Sequence, residues 1–91
     1  MAKPATSTAS TASTASATSD RAESAVLFST RLREARIRMG YSHGDVAELL
    51  GVTREGYGRL ERGRIMPRAD VLMRVARLFH VSTDWLLGLI D

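Results

Sequence analysis

At 91 residues the chain has room for one small core and none for a second. It has no cysteine, which excludes a disulfide framework and a thiolate metal site, and its net charge of +3 with a pI near 10.2 favours a polyanionic partner. Lys3 is the only lysine beside twelve arginines; guanidinium forks suit phosphate and guanine, but a GC-rich coding bias gives the same composition, so this feature alone decides nothing. No run approaches the roughly 18 apolar residues of a membrane span, and the amino terminus lacks the apolar core of a secretory signal, so a cytoplasmic protein with no membrane partner is expected.

In chain order, residues 6–19 read TSTASTASTASATS, only Ser, Thr and Ala with an STA triplet in register. Such a segment buries too little apolar surface to offset its chain entropy, so residues 1–21 are expected to be a disordered tail and 22–91 the folded domain. A transit peptide is the rival reading, but Lys3 is its only base before Arg21. Composition changes at Asp20, and Phe28, Leu32, Ala35 and Met39 then mark one face of a first helix that Gly40 ends. In YSHGDVAELLG, Ser42 with Asp45 three residues on is a variant capping box for a short second helix, with Val46, Leu49 and Leu50 as its stripe and Gly51 as its stop. Thr53 can cap a third helix, about 54–61, whose inward residues are Tyr57 and Leu60 and which Gly63 ends. Leu72, Val75, Ala76 and Phe79 give the stripe of a fourth helix, His80 is a loop residue without a role, and Ser82 caps a last short helix over TDWLLGLI. No strand alternation appears, so the fold class is all-α, five compact helices.

Two short helices joined by a tight Gly-containing link are the layout of a helix-turn-helix domain. The stretches LREARIRMGYSHGDVAELLGVT, RLERGRIMP and VSTDWLL, in this order and spacing from Leu32 to Leu87, resemble the Xre-like helix-turn-helix family, which includes the lambdoid phage repressors and Cro proteins. The resemblance implies a lambda-repressor-like fold and a sequence-specific transcriptional regulator of the repressor kind, with its third helix in the major groove of double-stranded DNA.

With Tyr57 and Leu60 inward, 100° per residue turns Glu55, Arg59 and Arg62 outward and leaves Gly56 and Gly58 on the flanks. Arg can grip guanine O6 and N7 and Glu can accept from cytosine N4; the plainer alternative is that Glu55 and Arg59, at i and i+4, only pair on a solvated face. The resemblance places base reading on Arg54, Glu55 and Arg59, and at Gly56, which has no side chain to read with. It implies backbone contacts from Ser42, His43, Thr53, Gly56 and Arg62. His43 stands where the family commonly has a phosphate-gripping glutamine, and an exposed residue without function is the competing account. Arg36 and Glu61 match positions that in the family form an ion pair, making Glu61 structural.

The G-x-G at 56–58 is not a phosphate cradle, because neither the rest of the dinucleotide fingerprint nor a Walker lysine accompanies it. With two separated histidines and dispersed carboxylates, no metal site, cofactor or nucleophile–base pair suggests itself, so no enzyme is expected. A homodimer is expected, with Trp85, Leu89 and Ile90 as its interface. The alternative function is a protein–protein module whose DNA-reading face has degenerated, supported by the two glycines in the third helix.

Overall fold

The computed structural model describes the backbone of residues 14–91 and the side chains of residues 21–91. Five helices and no strand occur among the described residues: α1 (Thr14–Met39), α2 (His43–Leu50), α3 (Arg54–Glu61), α4 (Ala69–Phe79) and α5 (Thr83–Leu86). The greater part of the expected tail lies outside the described residues. The helix that follows starts at Thr14, within the segment assigned to the tail, since Ala, Ser and Thr can propagate a helix once a packed turn nucleates it.

α1 buries Ala25, Phe28, Leu32 and Ala35. Met39 was expected on this stripe but is exposed, because the last turn of α1 runs past the core. On α2 the buried set is Val46, Ala47 and Leu50, and Leu49 faces outward, so a small alanine lies where the larger leucine was expected. Tyr57 and Leu60 of α3 are buried as expected, and Val71 joins Val75 and Phe79 on α4, with Leu72 and Ala76 only packed against the core's edge. Leu86 of α5 completes this single cluster.

All five helices stop in the same way. A left-handed residue, Gly40, Gly51, Gly63, His80 or Gly88, turns the chain, and the N–H of the residue after it donates to the carbonyl five positions back. His80 thus has a structural part, closing α4 at φ +57°, where a side chain is usually disfavoured. The same device shortens the last helix. Gly88 has φ +79° and Leu89 N–H donates to Asp84 O at 2.8 Å, so α5 ends at Leu86 and does not extend through Ile90.

The carboxy-terminal turn is tied to α1 through Arg31. Its guanidinium donates to the Trp85 carbonyl and, at 2.8 Å, to the Ile90 carbonyl, and lies 5.0 Å from the centre of the Trp85 ring. No helix among the described residues is long and apolar enough to cross a membrane.

Candidate nucleic-acid interface

The α2–α3 unit is built from caps. Ser42 N–H donates to Asp45 Oδ2 and Asp45 N–H donates to Ser42 Oγ, both at 3.1 Å, closing the reciprocal box that starts α2. The Ser42 amide and hydroxyl hold the Asp45 carboxyl below its usual range. Gly51 reverses the chain in the left-handed conformation, and the last turn of α2 is secured from α4, where Arg74 Nη1 donates to Leu50 O at 3.0 Å. Thr53 then caps α3, its Oγ1 accepting from Gly56 N–H at 2.9 Å. Each hydroxyl accepts one amide; the Thr53 hydroxyl keeps its own proton to donate to a phosphate oxygen, whereas the Ser42 hydroxyl also serves the Asp45 carboxylate.

α3 sorts its side chains by face. Tyr57 and Leu60 go into the core, while Arg54, Glu55, Arg59 and Arg62 are exposed, continued by exposed Arg64 and Arg68 in the connector. Arg59 Nη2 is 3.4 Å from Glu55 Oε2, a loose contact on a solvated face contributing a few tenths of a kcal/mol. The Arg54 guanidinium lies over Gly44 at the start of α2, where an added Cβ would fall 2.4 Å from its Nη2.

The two glycines of α3 have separate settings. Gly58 is buried beneath the Arg62 side chain, with Nη1 3.0 Å from where a Cβ would stand. Gly56 faces a small apolar cleft beside Val52, Leu60, Ile65, Met66 and Val71, and a Cβ there would sit 3.0 Å from the Thr53 cap oxygen. The Gly56 amide donates to that cap oxygen, which places Gly56 directly beside Thr53 at the start of α3.

Behind this face Arg36 and Glu61 meet as expected. Arg36 Nε donates to Glu61 Oε2 at 2.5 Å and Nη2 to Oε1 at 3.2 Å, while Nη1 reaches Tyr41 O at 2.9 Å. Glu61 is only 5% exposed and Arg36 14%. The same carboxylate accepts from the Tyr57 hydroxyl at 2.5 Å and lies 2.9 Å from His43 Nε2. Burial pushes the Glu61 carboxyl up, but the bonds from Arg36 and Tyr57 outweigh it and hold the group below its usual range. Arg36 is raised chiefly by its bond to Glu61, and Tyr57 is raised by burial and then by the same carboxylate.

His43 therefore sits at the start of α2 with one nitrogen turned inward to Glu61, its ring edge-on to Tyr57 at 5.4 Å and its side chain still 47% exposed. Trp85 is partly buried against the core and Arg31, whereas Leu89 and Ile90 are 69% and 53% exposed. Sequence reasoning missed Arg31, Arg74 and the His43–Glu61 contact. The first two serve carbonyls with no local signal, and the third joins residues on different helices, far apart in the chain. Among the described residues no three metal-ligating side chains cluster.

A capped pair of short helices, the second with its apolar side in the core and its charged side in solvent, defines a helix-turn-helix domain. Residues 32–86 match the helix-turn-helix family, and the chain belongs to it, in its Xre-like branch, a family of DNA-binding, non-enzymatic domains. It is 41% identical over 61 residues to the SPbeta prophage-derived HTH-type transcriptional regulator YonR of Bacillus subtilis, covering 67% of this chain and 56% of that protein. It is 40% identical over 58 residues to the HTH-type transcriptional regulator ImmR of the same organism, covering 64% and 46%. With the HTH-type transcriptional regulator YobD, also of Bacillus subtilis, identity is 35% over 65 residues, covering 71% and 58%. The chain spans about half the length of these curated relatives.

Proposed function

We propose that the chain is a sequence-specific transcriptional regulator that lays α3 in the major groove and acts by repression in the cytoplasm. One observation carries the reading: α3 buries its apolar side completely and turns Arg54, Glu55, Arg59 and Arg62 to solvent, flanked by the cap hydroxyls of Ser42 and Thr53. In this reading Arg54, Glu55 and Arg59 read base edges, and Ser42, His43, Thr53 and Arg62 hold the phosphates. Repression requires only occupancy of a site, whereas activation would require a further contact to polymerase. Gly58 lies under the Arg62 side chain and Gly56 beside the Thr53 cap oxygen, and the alternative, a protein-binding module with a degenerate DNA-reading face, is separated from DNA binding by the titration below.

A salt titration of binding to random-sequence duplex DNA tests the class. Expected is a log–log slope corresponding to several displaced counterions. A flat titration would turn the assignment to a protein-binding module.

One short helix reads few base pairs, so the regulator acts as a homodimer over half-sites about 34 Å apart. Trp85 is largely committed to its own core and Arg31, which leaves Leu89 and Ile90, beside Leu27 under Gly88, as the apolar contact. Replacing Leu89 and Ile90 together by serine keeps the backbone carbonyl that Arg31 uses, and sedimentation should then report at least a tenfold weaker dimer. An unchanged dimer, or a monomer before and after substitution with DNA present, would assign dimerisation elsewhere.

A further inference from the structure

The inward-facing nitrogen of the His43 imidazole is Nε2. Glu61 Oε1, 2.9 Å from His43 Nε2, belongs to a carboxylate that already accepts from Arg36 and Tyr57. An ionised carboxylate only accepts, so the proton of this contact resides on Nε2. In the neutral ring Nδ1 then carries a lone pair and no hydrogen, and it would repel a phosphate oxygen where a donor is needed.

We propose, resting on the DNA-binding reading above, that His43 contacts the phosphate backbone only after taking up a second proton at Nδ1, so that DNA binding is coupled to proton uptake at one residue per protomer. Several charged and polar groups surround the ring. On α3 the Glu61 carboxylate and the Tyr57 ring face it, and Arg54 lies over neighbouring Gly44. On α1 Arg36 shares the Glu61 carboxylate and partly cancels its charge, and on α2 Asp45 stands two residues along, its carboxylate committed to the Ser42 cap. The amino-terminal amides of α2 oppose a cation at this position, and an arriving phosphate compensates them. A glutamine amide at the same position has two N–H groups and could serve Glu61 and a phosphate together with no proton taken up.

The test is binding of the full chain to a random-sequence duplex at constant ionic strength from about pH 5.5 to 8, where imidazoles titrate. Expected for the parent is affinity that falls as pH rises, approaching about tenfold per pH unit for each protomer bound, the signature of one linked proton. His43→Gln should bind with a nearly flat profile close to the parent's low-pH affinity, and His80→Gln should keep the parent's slope. Nitrogen NMR of the free protein should show a proton on Nε2 and a bare Nδ1 at His43. A free-state Nδ1–H tautomer, or a His43→Gln profile as steep as the parent's, overturns the inference. A flat parental profile with salt-dependent binding intact overturns it and leaves the DNA-binding reading standing, while loss of salt-dependent binding overturns both.

Discussion

Replacing Arg36 by alanine should cost about 3–5 kcal/mol of folding stability, the range for removing one partner of a buried ion pair. The loss has three parts. Glu61 stays in the interior with two bonds fewer, Tyr41 O loses the donor Nη1, and the link from α1 to the end of α3 disappears. Glu61→Ala should cost less, because Arg36 keeps Tyr41 O and is near enough to the surface to reach water, although the buried Tyr57 hydroxyl then loses its acceptor. The double variant should fall short of the sum of the two by up to about 3 kcal/mol in chemical denaturation. Losses under about 1 kcal/mol without coupling would make this a solvated pair.

The pH dependence supplies the sign. The folded Glu61 carboxyl lies below its unfolded value, so its contribution is present above the ordinary carboxyl range, about pH 4.3, and is lost as pH falls through the depressed folded value. Without Arg36, burial would be poorly opposed and the carboxyl would rise, reversing the sign: acidification would then relieve the folded state. The stability gap between parent and Arg36→Ala should therefore narrow from pH 7 towards pH 4. A constant gap would mean that Glu61 is not the group that Arg36 supports.

The fold was legible in the sequence where the signal was local. Gly40, Gly51 and Gly63 mark three stops because glycine is the residue that takes the left-handed turn without strain, and Ser42, Thr53 and Ser82 mark three starts by their hydroxyls. The fourth stop was hidden because a histidine adopts the glycine conformation, and the fifth because Gly88 stands inside an apolar run that reads as continuous helix. Periodicity gave the direction of each apolar face but not where the core ends, so Met39 and Leu49 were assigned inward and are exposed. At the site, the outward set on α3 follows from 100° per residue alone. Glu61's full set of partners does not, since three chain segments must fold together before His43, Tyr57 and Arg36 meet one carboxylate.

Arg59→Ala should weaken specific binding by about 1–3 kcal/mol and relax preference at one base position, whereas Arg62→Ala should weaken all sequences alike and reduce the salt slope by about 1. The free chain makes both changes readable. Arg59 leaves only a loose surface contact with Glu55 to meet a base, so little of its binding energy is spent on breaking old bonds. Arg62 lies along its own helix over Gly58. A mid-helix glycine costs about 0.5–1 kcal/mol against alanine, so Gly58→Ala should stabilise the free fold by that amount while pushing the flexible Arg62 guanidinium off its seat. Its binding should then change uniformly across sequences, as Arg62→Ala does. Gly56→Ala should gain almost nothing in stability, because the new methyl presses on the Thr53 oxygen and weakens the cap bond that starts α3. The measurements are thermal unfolding for the glycine variants and titrations of all four against a selected operator and a random duplex. If Arg59→Ala leaves base preference intact and neither Arg62→Ala nor Gly58→Ala alters affinity or salt slope, α3 is not the reading helix, whatever its place in the fold.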